Sequence, residues 1–149
     1  MFTKMIVPVD GSKPSDAALA LALRLAADQH ASMLLVHVVE TAKLAAAFEP
    51  YGGSGGEVAI EAAYDAGRSM LREAAQAADR AGITNLSELV DGDCVKRIVA
   101  VAQSSKADLI VIGSHGRGGL ARAVLGSVAE GVLRKASIPV LVTRENVVQ

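Results

Sequence analysis

Short runs dense in aliphatic and β-branched residues recur along this chain, and between them lie Ala-rich stretches whose apolar residues stand three and four apart. The runs are Met5-Ile6-Val7-Pro8-Val9, Ser32 to Val39, Leu86 to Val90, Ala107 to Ile112 and Ile138 to Thr143. Runs of this length and composition read as strands, and the intervening periodicity reads as helix. Strands apolar on both faces need cover on both sides, which a parallel sheet between helix layers supplies. The alternation therefore predicts an α/β fold, a doubly wound five-stranded parallel sheet of Rossmann-like type with helices on both faces. In such sheets a ligand binds outside the carboxyl ends of the strands, where the strand order reverses.

The punctuation agrees with this reading. Pro8 removes a ladder donor and belongs near the end of the first strand. Ser12 is a candidate N-cap, with Pro14 in the first turn and Leu21, Leu25, Ala17 and Ala18 as the apolar face of a helix reaching about Gln29. Ala59, Ala63, Ala66, Met70, Ala74, Ala77 and Ala81 mark a second helix stopped by Gly82, and Asp93 caps a third bearing Val95, Ile98, Val99 and Ala102. The pattern breaks down over residues 41–56, which contain Pro50 and Gly52-Gly53-Ser54-Gly55-Gly56, and this stretch is predicted to be flexible. The glycine cluster fails as a P-loop because Glu57-Val58 follows it rather than Lys-Ser or Lys-Thr. It reads as a hinge or a disordered cover over a site.

The chain has 149 residues, room for one domain, in which about two thirds of the unfolded surface becomes buried. Aromatic residues make up only 3 % against 51 % hydrophobic, so the core is built from Ala, Val, Leu and Ile, and no aromatic platform for stacking bases is expected. Fifteen Lys and Arg against 16 Asp and Glu leave a net charge of -1, which argues against binding to a nucleic-acid backbone. No signal-peptide pattern or membrane-length apolar window is found, and Cys94 is the single cysteine, so no internal disulfide forms. A cytoplasmic, reducing setting is the expectation.

The stretch that carries chemistry is Gly113-Ser114-His115-Gly116, followed after nine residues by Gly126-Ser127. A strand leads into it, and Ser127 with Glu130 three residues on has the form of a capping box opening a helix. Glycines let backbone N–H groups approach a ligand, and a helix start adds unpaired donors and the positive end of the macrodipole. That combination suits a phosphate. An isolated Gly-x-x-Gly reads first as a tight strand-to-helix connection, but the span between Gly113 and Ser127 exceeds the usual length of such connections and turns the reading to a functional loop. His115 and Arg117 flank the second glycine, where a cation favours polyphosphate; they can also be read as solvated loop residues. Asp10, in Asp10-Gly11-Ser12, can cap its own turn or meet a ribose hydroxyl or Mg²⁺. His37 and His30 read as structural, and Cys94 as a small buried side chain.

Gly-x-x-Gly, nine residues and Gly-Ser, together with Ile6-Val7-Pro8-Val9-Asp10-Gly11-Ser12 and the closing Ile138-Pro139-Val140-Leu141-Val142, resemble the universal stress protein family, with its ATP-binding motif intact. The resemblance covers nearly the whole chain. It implies the strand order 3-2-1-4-5, which brings Asp10 and Gly113 to one crevice. It implies ATP with Mg²⁺ as ligand, held by Pro8, Val9 and Asp10, by the backbone of Val38 or Val39 at the adenine, and by Gly113, Ser114, His115, Gly116, Arg117, Gly126, Ser127 and Val128 around the phosphates. Asp10 is then the metal contact. It further implies a homodimer through the last strand, Ile138 to Thr143, whose open apolar edge is otherwise a liability. Two alternatives stand beside this stress-response binding protein: a slow ATPase or adenine-nucleotide hydrolase, and a dimeric interaction module that binds no nucleotide.

Overall fold

The computed structural model describes residues 1–115 and 125–144. Strands β1 (Lys4–Pro8), β2 (Ser32–Val39), β3 (Asn85–Asp91), β4 (Leu109–Gly113) and β5 (Val140–Thr143) alternate with helices α1 (Lys13–Gln29), α2 (Thr41–Phe48), α3 (Gly56–Arg80), α4 (Cys94–Ser104) and α5 (Ser127–Lys135). The strands form one sheet in the order β3-β2-β1-β4-β5, and every pairing is parallel. Fold class and strand order are thus those expected from the sequence.

Alternation along each strand sends side chains to two cores. Met5, Val7, Met33 and Leu35 pack beneath α1 and α3, while Ile6, Leu34, Val36, Ile110 and Ile112 pack against α4 and α5. Burying each such side chain contributes about 1.5–3 kcal/mol. The stripe of α1 that meets the sheet is Ala18, Ala22 and Ala26, with Leu25 at its flank, so the helix lies closer than the Leu21–Leu25 face expected from periodicity would allow.

In α3 the buried face is Gly67, Leu71, Ala74 and Ala78, rotated from the predicted alanine stripe. The cause is local: a Cβ at Gly67 would lie 2.5 Å from His37 Cδ2, so this position must be the point of closest approach. Ala63, Ala66 and Met70 are thereby turned away from the core. Two further differences concern elements. Thr41–Phe48 forms a helix where the sequence pattern breaks down, and a short 3₁₀ turn, Glu49–Tyr51, follows it. β5 begins at Val140 rather than Ile138, because Pro139 has no N–H to give; its carbonyl still accepts from Ile110 N at 3.0 Å.

Candidate functional site

The carboxyl ends of β1, β2 and β4 open into a cavity of about 850 Å³ roofed by α2 and α3 on one side and bounded by α4 and α5 on the other. That volume lies within the range of about 300–1,000 Å³ usual for small-molecule sites. Pro8, Val9, Asp10, Val38, Val39, Gly113, His115, Gly126, Ser127 and Val128 all line it. Residues more than a hundred positions apart in sequence meet here because the strand order reverses between β1 and β4.

At the end of β1, the Val9 carbonyl accepts from His37 Nδ1 at 2.7 Å, which places the ring proton on Nδ1 and ties the β1 exit to β2. His37 makes a structural tie of the kind expected and also lines the cavity. Asp10 Oδ1 accepts from Ser12 N at 2.9 Å and from the Ser12 hydroxyl. Ser12 in turn caps α1 by accepting from Ser15 N at 3.2 Å, and Pro14 stands in the first turn. Asp10 therefore performs the local capping role while its side chain borders the cavity.

The glycines of the phosphate-type motif have a packing reason of their own. A Cβ on Gly113 would lie 2.6 Å from the Pro14 carbonyl carbon, so only glycine lets the β4 exit pass the first turn of α1. A Cβ on Gly126 would lie 2.8 Å from the Ser114 carbonyl oxygen. The chain returns so closely that Gly126 N donates to that oxygen at 2.7 Å. Ser114 is buried outside the cavity lining, its N–H donates to Thr143 O at 2.8 Å, and its hydroxyl lies 3.1 Å from His115 Nδ1. Gly116 and Arg117 lie outside the described residues.

One local expectation is corrected. Gly126, not Ser127, is the N-cap of α5, and the helix start has no side-chain cap. A capping box then needs Glu at position 129, where Ala129 stands; Glu130 lies one residue out of register and pairs with Arg134 at 2.7 Å. Ser127 and Val128 thus open the helix beside the cavity, in the turn whose N–H groups have no intrahelical acceptor.

Glu40, Lys43, Leu44 and Cys94 also line the cavity, and nothing in the sequence marks them as site residues. Glu40 Oε1 accepts from Cys94 N at 3.0 Å and Oε2 pairs with Lys43 at 3.1 Å. Burial, then the carboxylates of Glu40, Asp10 and Asp93, push the Cys94 thiol up to about 12, so it stays protonated. The signal for Glu40 and Lys43 is weak because a short helix, half of it Ala, has little periodicity to read. Among the described residues no group of three or more His, Cys, Asp or Glu side chains is arranged to hold a metal.

Fold and cavity together define a doubly wound α/β protein with a cleft at the switch point of the sheet. Within that class the chain belongs to the universal stress protein family, whose family pattern matches residues 1–144. It is 34 % identical to universal stress protein MJ0531 of Methanocaldococcus jannaschii, covering 97 % of this chain and 84 % of that one. It is 32 % identical to universal stress protein YxiE of Bacillus subtilis, covering 97 % and 100 %. Among solved structures, hypothetical protein MJ0577 superposes with a TM-score of 0.81 at 26 % identity, over 97 % of this chain and 96 % of that one. A universal stress protein in complex with cAMP superposes at 0.68 with 28 % identity, over 97 % and 98 %, and one from Archaeoglobus fulgidus in complex with dAMP at 0.66 with 25 % identity, over 95 % and 97 %. No helix among the described residues is long and apolar enough to cross a membrane.

Proposed function

We propose that this chain binds an adenine nucleotide, ATP with Mg²⁺, in the cavity between β1 and β4, and acts in the cytoplasm as a dimeric, nucleotide-dependent stress-response regulator. One observation carries the reading: Asp10 and the uncapped first turn of α5 face the same cavity from opposite sides of the switch point. The Ser127 and Val128 amides and the helix dipole would hold phosphate oxygens. The β2 exit at Val38 and Val39 would hold the base, and Pro8 and Val9 would border the sugar. Two universal stress proteins of known structure, one in complex with cAMP and one with dAMP, support the ligand class.

The residues fit a metal that arrives with the nucleotide. A single carboxylate, Asp10, is suited to Mg²⁺ whose other ligands are phosphate oxygens and water, and less so to a cage made by protein alone. Bound Mg²⁺ would supply charge neutralisation of the phosphates. Hydrolysis is slow at most in this reading: the base candidates are Asp10 and His115, and Asp10 Oδ1 and His115 Nδ1 are each engaged by a neighbouring serine. The dimer uses β5, which pairs with β4 along one edge and keeps the other for a second copy of the chain.

Isothermal titration of nucleotide-stripped protein with ATP and Mg²⁺ tests the reading, and heat with a dissociation constant in the micromolar range or below is expected. Absence of heat at high micromolar ligand, with no nucleotide released from freshly purified protein, would overturn it.

A further inference from the structure

We propose that α2 is a lid on the cavity, latched to the end of β3 by the Thr41–Asp91 contact and hinged at Gly52–Gly56, so that its opening sets the rate at which ligand enters and leaves. The inference rests on the nucleotide reading for the identity of the ligand but not for the movement itself.

The first observation is where the helix sits. Lys43, Leu44 and Ala47 form part of the cavity wall, yet no residue of α2 is buried, although six of its eight residues are Ala, Leu or Phe. A helix that short is marginal without tertiary support. Its apolar face is spent on covering the cavity rather than on filling a core.

The second observation is how its two ends are held. Glu40 stands at the N-cap position but makes no side-chain cap bond to α2. The cap comes from another strand: Asp91 Oδ1 accepts from Thr41 N at 3.1 Å and from the Thr41 hydroxyl at 2.7 Å, and Oδ2 lies 2.8 Å from the same hydroxyl. Glu40 meanwhile accepts from Cys94 N at the start of α4. The junctions β2–α2 and β3–α4 thus exchange caps at the cavity rim. The Thr41–Asp91 contact is exposed, and such a polar contact can break and re-form at small cost compared with a buried one.

At the far end the chain turns through Gly52, Gly53 and Gly55 with φ of 72°, 75° and 87°. A Cβ on Gly52 or Gly53 would have nothing within 4 Å, so this turn is not wedged against the body of the protein. Phe48 closes against Gly55, where a Cβ would come 3.3 Å from its ring. A polar latch at one end, a glycine turn at the other and an apolar underside over a cavity are the parts a hinged cover requires.

The test uses the full chain with Thr41→Val and Asp91→Ala, and Thr41→Ser as the variant that keeps the hydroxyl. Hydrogen exchange without nucleotide is expected to be at least tenfold faster at the amides of residues 44–48 in Thr41→Val and Asp91→Ala, unchanged in α1, and close to wild type in Thr41→Ser. Stopped-flow release of a fluorescent ATP analogue with Mg²⁺ is expected to be at least fivefold faster in the same two variants. Unchanged exchange in α2, or faster exchange with release at the wild-type rate, would overturn the lid. Failure of the wild type to bind the analogue would overturn the nucleotide reading instead, leaving exchange to decide whether the latch controls α2. Should Asp91→Ala fail to fold, Gly53→Ala strains the turn away from core and cavity, and faster release is expected there too.

Discussion

At Gly67 two known effects of a glycine-to-alanine change oppose each other, and magnitude decides between them. Alanine in a helix interior gains roughly 0.5–1 kcal/mol over glycine. The new Cβ, however, would meet His37 Cδ2 at 2.5 Å and Leu89 Cδ1 at 2.7 Å, and such overpacking costs about 1–3 kcal/mol. Gly67→Ala is therefore expected to lower the melting temperature, and a melt unchanged or raised by circular dichroism would contradict the packing argument. Asp10 separates its two roles under a conservative change. Asp10→Asn keeps an acceptor for Ser12 N and should leave stability within about 0.5 kcal/mol of wild type, as peripheral substitutions do. Removing its charge should weaken Mg²⁺–ATP binding by about tenfold, the equivalent of one charge-assisted hydrogen bond. Equal affinity of the Asp10→Asn variant and the wild type in titration calorimetry would leave Asp10 as a cap only. The positions of the motif glycines are legible in the sequence but their use is not. Spacing alone suggests that Gly113 and Gly126 let a ligand approach, whereas each admits another piece of backbone, Pro14 and Ser114, which come from other parts of the chain or loop and leave no mark on local spacing.

The start of α4 sets a helix N-terminus against its surroundings. A thiol there is usually made more acidic by the helix dipole and nearby donors. At Cys94 burial comes first in the opposite direction, and the carboxylates of Glu40, Asp10 and Asp93 add to it, which takes the pKa from 9.0 to about 12. The thiolate fraction is then very small at pH 8, so alkylation by iodoacetamide should be far slower in the folded protein than in urea, and should still be climbing above pH 10. A rate that levels off near pH 9 would show an unperturbed thiol. Elements with strong punctuation are legible: Ser12, Pro14 and Asp93 mark helix starts that the structure repeats. α2 is not, because its cap is Asp91, which lies 50 positions away. The start of α5 differs by a residue from its sequence signal because glycine in extended conformation can serve as N-cap without any side chain to announce it.

Parallel order in the whole sheet is legible from strands apolar on both faces, while the sequence 3-2-1-4-5 comes from family resemblance, since periodicity carries no information on which strands are neighbours. At the amino end of the sheet one carboxylate stitches β1 to the chain ahead of β4. Asp108, ahead of β4, accepts from Thr3 N at 2.8 Å, Thr3 Oγ1 at 2.9 Å and Lys4 N at 3.0 Å, and its own N–H donates to Lys4 O at 2.9 Å. These bonds join β4 to β1 across the pair that creates the switch point. Desolvation raises the Asp108 pKa, but the hydrogen bonds from Thr3 and Lys4 outweigh it and hold the carboxyl below its ordinary value of 3.8. A folded-state pKa below the unfolded one means that the contribution is complete above the unfolded value and is lost as pH falls through the folded one. Asp108→Asn puts an amide donor where one of the donors now points, so the variant should melt below wild type at pH 7. The gap between the two should begin to narrow as pH falls below about 4, where the carboxyl of the unfolded chain takes up its proton, and go on narrowing as pH passes through the lower folded-state value. Melts followed by circular dichroism between pH 7 and 3 measure that gap directly. A difference that stays constant across the range would mean that Asp108 holds β1 against β4 through its shape and not through its charge.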